Sequence, residues 1–434
     1  MEREMIDSGI EWIGAIPHSW HVLPAQRCFV EIKRKNSDGA IQKALKFKFG
    51  EIIPKHNFDA EFDDYVAEAI TAYTVVEPGT VMINGLNLNY DFKTQRTGLV
   101  KETGVITSAY LALWPNCHLI LAEYATYLFK GYETRMALHN MGSGIRLTLG
   151  FKEFKKQPIL LPSLTEQRSI ADFLDHECAE IDRVVAETEK SIEEYKKLKQ
   201  SVITEAVTKG VRGDRPMKDS GIEWIGEIPE GIDISRVGLH YNIVLGKMLC
   251  STPFDETYSL EPYFCAADVH FSGIFDGERK QMWFSPIEKD QYLVCIGDLL
   301  VVEGGAGAGG CGIVESLPVP TYIQNSIMCV RTKGIASVRY LRYLIECFVK
   351  QGYVDVVCNK ATIPHFTKDK LATVPFILFD QQEQHEIADF LDEQCAKIGH
   401  LIQEKQQLLA ELSAYKKSLI YEYVTGKTEV PVCQ

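Results

Sequence analysis

The sequence predicts a mixed α/β (α+β) protein built as a tandem repeat, with two globular units separated by two long antiparallel helices that pair as a coiled coil about an approximate two-fold axis. Three observations predict it. An octapeptide is repeated without change, an apolar stripe runs along two long segments at helical spacing, and short β-rich runs broken by glycine and proline precede each stripe.

The repeat is explicit. Asp7-Ser8-Gly9-Ile10-Glu11-Trp12-Ile13-Gly14 returns as Asp219-Ser220-Gly221-Ile222-Glu223-Trp224-Ile225-Gly226, and Ile16-Pro17 returns as Ile228-Pro229. Later, Glu166-Gln167 and Ile170-Ala171-Asp172-Phe173-Leu174-Asp175 return as Glu383-Gln384 and Ile387-Ala388-Asp389-Phe390-Leu391-Asp392, in a register that holds to Val207-Thr208 and Val424-Thr425. Between these anchors the likeness is faint but collinear: Gly79-Thr80-Val81-Met82 matches Gly297-Asp298-Leu299-Leu300. Two copies are too few for a solenoid, whose core closes only over three or more repeats.

The globular parts, residues 1–162 and 214–379, read as mixed α/β. β-rich runs are expected at Thr74 to Ile83, Ser108 to Leu113, Leu293 to Val302 and Ile327 to Val330, with helices at Ala122 to Lys130 and Val338 to Val349. Residues 163–213 form the first long helix and a linker, and residues 380–434 form the second helix. In the first helix Ile170, Leu174, Cys178, Ile181, Val185, Ile192, Tyr195 and Val202 recur at steps of three, four or seven. Their counterparts Ile387, Leu391, Cys395, Ile398, Ile402, Leu409, Leu412 and Leu419 are apolar throughout. A stripe kept that long is a helix–helix seam. Only Gly399 weakens it, by about 1 kcal/mol relative to alanine. The chain passes from the first helix through Gly210-Val211-Arg212-Gly213-Asp214-Arg215-Pro216 into the second globular unit, so the second helix must run back to cover the first.

Of the 434 residues, 46% are apolar and 24% charged, which suits a folded chain with real cores. The start, Met1 to Trp12, lacks a signal-peptide run, and no apolar stretch is long enough to cross a membrane. A cytoplasmic protein is expected. The 12 cysteines are scattered singly without a Cys-x-x-Cys pair, so reduced core residues are expected, with no metal site. A net charge of −13 counts against phosphate binding. It is uneven, however: residues 166–209 hold 11 acidic and 7 basic side chains, and 383–427 hold 8 and 5, so these helices carry −7 of the total. Local basic faces remain at Lys33-Arg34-Lys35 and at Lys43, Lys46 and Lys48.

Several motifs mislead. Gly305-Ala306-Gly307-Ala308-Gly309-Gly310 fits a dinucleotide fingerprint, but that fingerprint requires a helix next. Cys311-Gly312-Ile313-Val314 reads instead as a strand, so a glycine-rich hairpin is expected. Gly426-Lys427-Thr428 ends like a phosphate-binding loop, yet Tyr421 stands where its first glycine belongs. His385-Glu386 has Asp389 where a zinc-protease motif needs histidine. No adenine-methyltransferase Asn-Pro-Pro-Tyr-like loop is present; Asn89-Tyr90-Asp91-Phe92 lacks the prolines.

The Trp12-Ile13-Gly14-Ala15-Ile16-Pro17 opening, its copy at Trp224 to Pro229, and the helix starts from Pro162 to Asp175 and Phe379 to Asp392 resemble the specificity (S) subunits of type I restriction-modification systems. The likeness spans the chain. Two departures are Phe379 in place of the first copy's Pro162, and Trp20, whose place in the second copy is taken by Ile232. The resemblance implies two target recognition domains, each reading one half of a bipartite, asymmetric site on double-stranded DNA. It further implies paired helices that dock two methyltransferase (M) subunits, joined by restriction/translocase (R) subunits. The chain would then hold no cofactor and perform no catalysis. S-adenosylmethionine would sit in M, and ATP and Mg in R.

DNA contacts are expected from loops rich in side chains that read base edges or hold phosphates. In the first domain these are Asn84, Asn87, Asn89, Arg96, Ser143 and Arg146; in the second, Asn359, Lys360, Thr362 and His365. Two rival readings are a coiled-coil adaptor that does not bind DNA, and a nucleotide-binding enzyme built on the Gly305–Gly310 loop.

Overall fold

The computed structural model describes residues 3–48, 50–55, 70–88, 95–139, 147–275, 277–358 and 364–431. It is mixed α/β, with two long helices at Leu164–Lys209 and Gln381–Val424. The chain forms two compact units, Met1–Glu189 with Gln407–Gln434, and Lys190–Gln406. Each unit therefore combines one globular part with a segment of each long helix.

In the first unit the octapeptide shapes the opening. Strands Met5–Asp7 and Ala15–Pro17 pair antiparallel, and Asp7 and Ser8 side chains accept the amides of Gly9 and Ile10. Gly9 and Gly14 take left-handed φ of 71° and 70°, which a side chain disfavours. A four-stranded antiparallel sheet follows in the order Phe29–Glu31, Leu111–Pro115, Val81–Ile83, Thr97–Leu99. The expected run Thr74 to Ile83 is really two strands, Thr74–Val76 and Val81–Ile83, broken where Gly79 takes a φ of 91°. Helix Ala122–Thr134 packs on the sheet, and Tyr124, Leu128, Phe129 and Tyr132 fill the core beneath it.

The second unit repeats this plan. Met217–Asp219 pairs with Glu227–Pro229, and Asp219 and Ser220 make the same turn bonds to Gly221 and Ile222. Its sheet has the equivalent order: Tyr241–Leu245, Ile327–Thr332, Leu299–Val302, Cys311–Ile313. Helix Val338–Lys350 takes the place of Ala122–Thr134. The difference is an inserted three-stranded sheet, Gln281–Phe284, Ser259–Phe264 and Tyr322–Ile323, with its own small core around Met282 and Phe284.

The long helices run antiparallel within each unit. In the first, Phe173 stacks on Tyr423 at 4.6 Å and Lys416 pairs with Asp182 at 2.6 Å, so numbering rises on one helix as it falls on the other. In the second, Lys405 lies over the Tyr195 ring at 5.7 Å, while Gly210 abuts Glu383. Of the seam residues, Ile170, Leu174, Ile181, Ile192, Ile387, Leu391, Ile398 and Leu419 are buried, and Val185, Val202, Ile402 and Leu409 partly so. The stripe has a second duty. Ile170, Leu174 and Ile181 share the core of the first globular body, and Ile387 and Leu391 that of the second.

Candidate nucleic-acid interface

Each unit presents a hairpin at the edge of its four-stranded sheet, braced by a loop that returns from elsewhere in the chain. In the first unit, strands Val81–Ile83 and Thr97–Leu99 lead to the segment from Asn84 to Leu88. Asn84 donates its amide to the Arg96 carbonyl at 2.8 Å, and its side-chain oxygen accepts the Leu86 amide at 3.2 Å. The return loop closes on this segment: Leu149 N–H donates to Gly85 O at 2.9 Å, and Leu88 N–H to Leu147 O at 3.3 Å. A Cβ on Gly85 would strike the Leu149 carbonyl, so the close approach requires glycine. Asn87 is exposed in a left-handed conformation, φ 53°, which asparagine tolerates better than most residues.

Arg96 is not an exposed contact. Only 1% of it is accessible, and its guanidinium donates to the carbonyls of Asn84 (3.0 Å), Leu86 (2.7 Å) and Asn87 (3.4 Å). Below it, the Glu133 carboxylate accepts the Arg96 amide at 2.8 Å and the Thr97 hydroxyl. Burial pushes the Glu133 carboxyl up to about 7. The structure thus brings Asn84 and Asn87 onto one loop and sets Arg96 beneath it. Asn89, Ser143 and Arg146 lie outside the described residues.

In the second unit the glycine-rich segment joins Leu299–Val302 to Cys311–Ile313 as an antiparallel hairpin, with Gly305 and Gly309 at φ 89° and 83°. A strand follows it where a dinucleotide site needs a helix, so the pyrophosphate cradle is missing. The return loop again closes on the tip. Phe366 N–H donates to Glu303 O at 2.7 Å and Gly305 N–H to Pro364 O at 3.2 Å. His365 is exposed there, its Nδ1 3.2 Å from the Glu303 carboxylate. Asn359, Lys360 and Thr362 lie outside the described residues. Of the basic faces, Lys33, Arg34 and Lys43 pair with Glu31, Glu77 and Glu102, whereas Lys46 and Lys48 are exposed on strand Leu45–Lys48. Among the described residues no His, Cys, Asp and Glu side chains group as a metal site, and no helix is long and apolar enough to cross a membrane.

The Glu-Gln pair at each helix start ties helix to globular body. Gln167 donates to the Leu119 and Pro162 carbonyls and accepts the Leu121 amide. Gln384 likewise donates to Phe379 O and accepts the Ser337 amide. Glu166 binds Arg3 and the Trp20 indole N–H, while Glu383 binds Arg215 at 2.6 Å. Arg212 pairs with Glu386 at 2.6 Å, with Asp380 at 2.9 Å and with Glu383 at 3.6 Å. Arg3 and Arg215 are anchoring parts of the repeat that sequence reading misses. Their signal is their common place, four residues before Asp7 and Asp219.

The fold and these two braced hairpins define a duplicated mixed α/β scaffold that presents one loop pair per copy. A family model described as the type I restriction modification DNA specificity domain matches residues 280–410. Two relatives from Methanocaldococcus jannaschii are similar along nearly their full lengths. The putative type I restriction enzyme MjaX specificity subunit is 23% identical, over 96% of both chains. The type I restriction enzyme MjaVIII specificity subunit is also 23% identical, over 96% of this chain and 94% of its own. Among solved structures, a chain from work on complex assembly and conformational transition of the type I R-M system shares the fold at a TM-score of 0.70, 15% identity and coverage of 95% and 99%. The HsdS subunit from Thermoanaerobacter tengcongensis shares it at 0.54, 15% identity and coverage of 95% and 98%. Along nearly its whole length the chain is thus similar to specificity subunits of type I restriction enzymes, and residues 280–410 match the DNA specificity domain of those systems.

Proposed function

We propose that this chain reads a bipartite, asymmetric DNA target, one half with each unit, and positions two M subunits and the R subunits in the cytoplasm without catalysis of its own. The observation that carries the reading is that the same braced hairpin occurs in both units with unlike residues: Asn84 and Asn87 in one, a glycine-rich tip with His365 in the other. Equal placement with different chemistry suits two readers of different half-sites. The exposed Asn87 suits an adenine edge, with Asn84 half-buried beside it, and a glycine tip lets backbone approach a phosphate closely. Lys46 and Lys48 would hold phosphates beside the first loop. In this reading S-adenosylmethionine belongs to the M subunits, and ATP and Mg to the R subunits. Methylation-sensitive sequencing of cells carrying the chain with its M subunits tests it. Two unlike specific halves separated by unread bases are expected. A continuous site, or no sequence preference, would overturn the reading.

A further inference from the structure

We propose that Arg96 and Glu133 are positioning residues that fix the reading conformation of the loop from Asn84 to Leu88 in the first unit, and that the helix position holding Glu133 is the support on which each unit's hairpin is built. The inference rests on the proposal that this loop reads DNA.

Three facts carry it. A buried arginine gathers three carbonyls within four residues, Asn84, Leu86 and Asn87. Those carbonyls belong to a turn with Asn87 at positive φ, so withdrawing the donors frees the turn to relax. Arg96 is itself held from below, because Glu133 in the last turn of helix Ala122–Thr134 accepts its amide and the neighbouring Thr97 hydroxyl.

The second unit supplies the comparison. Tyr124 and Tyr127 of the first sheet helix match Tyr340 and Tyr343 of the second, making the same hydroxyl contacts. In that register Glu133 falls on Val349. Val349 lies under the glycine-rich hairpin, so close to Gly309 that a Cβ there would sit 2.7 Å from its Cγ2. One helix position thus supports both hairpins by different means. A carboxylate holds an arginine-centred loop, and a methyl group props a bare glycine backbone. A fixed loop is what converts side-chain identity into base preference, since a bidentate contact depends on geometry.

The test uses the full-length subunit with its M subunits on a randomised duplex library, reading methylation at each position. The variants are Arg96→Lys, which keeps the charge but not the fork of donors, and Glu133→Val, which copies the second unit. Preference at one half-site is expected to relax by about ten-fold, the scale of one misplaced base contact, while the other half keeps its wild-type preference. The second unit is the internal control for folding and assembly. Unchanged preference at both halves, or a proportional loss at both, would overturn the positioning role. If the wild-type complex shows no base preference, the DNA reading itself falls, and this inference with it.

Discussion

The hydroxyl of Tyr340 lies 3.1 Å from the carbonyl oxygen of Val207, in the last turn of the first long helix, and 3.1 Å from that of Ile377. Tyr124 stands in the same relation to Val424, at the end of the second long helix, and to Leu160. Each globular body therefore satisfies a carbonyl that the other copy's helix leaves without an intrahelical partner. Burial holds both phenols well above their ordinary range, so they remain donors.

Removing that hydroxyl has a foreseeable cost. Tyr340→Phe keeps the ring contacts with Phe376 and Phe379 but strands the Val207 carbonyl, whereas that of Ile377 still accepts the Phe379 N–H at 3.0 Å. Loss of about 1–2 kcal/mol is expected, with Tyr124→Phe similar. Urea unfolding checks it, through a lower midpoint at unchanged slope.

Ion pairs should divide by burial. The Glu383 side chain is 2% exposed and takes two bonds from Arg215, 2.6 Å and 3.1 Å. Glu383→Ala leaves that guanidinium, itself 26% exposed, only the Lys209 carbonyl at 2.9 Å and should cost about 2 kcal/mol. The Lys416–Asp182 pair joins the two long helices in solvent, with Asp182 63% exposed. Asp182→Ala should stay within about 1 kcal/mol. Chemical denaturation of both variants tests the contrast, and equal losses would contradict it.

The repeat, the two long helices and the glycine-rich hairpin were legible because each rests on local pattern: identity at fixed offset, apolar periodicity and punctuation by glycine. Arg96 misleads for an equally physical reason. A loop arginine looks like a phosphate contact, and only the fold reveals that Asn84, Leu86 and Asn87 turn their carbonyls inward around it. Nor could sequence show that Tyr340 reaches Val207, since no pattern links residues 133 positions apart. By pattern alone the stripe from Ile170 to Ile181 is a helix seam, but it faces the sheet helix as well, where Tyr127 bonds Asp175.

Glu133 gives a pH signature. Its carboxyl is raised from 4.5 to about 7 in the folded chain, first by burial, against the bonds from Arg96 and Thr97 that lower it. A raised carboxyl binds its proton more tightly folded than unfolded, so the stability it contributes is present below about pH 4.5 and is lost as pH rises through about 7. Glu133→Gln removes that dependence. The variant should gain on the wild type between pH 5 and pH 7 and hold a constant lead above, bounded by about 3 kcal/mol. Thermal melting of both proteins across that range checks it, and a lead that shrinks with pH would contradict it.

The repeat makes one half of the chain a candidate for the whole. Residues 1–213 contain one globular body and one complete long helix, but lack the helix segment from Gln407 to Val424 that covers Ile170, Leu174 and Ile181. That apolar stripe would form a larger patch than soluble monomers usually leave in water. Helix one can supply the cover from a second copy. Val202 stands where Leu419 does, and Val207 where Val424 does. Tyr124 of one copy would then bond Val207 of the other, as Tyr340 already bonds Val207 within the second unit. The fragment is therefore expected to form a closed two-fold dimer. With M subunits it should methylate an inverted repeat of the first half-site. Solution mass of the fragment and the motif methylated in cells check the two steps separately. A soluble monomer would refute the pairing, and methylation of the original asymmetric site would refute the assignment of one half-site to each unit.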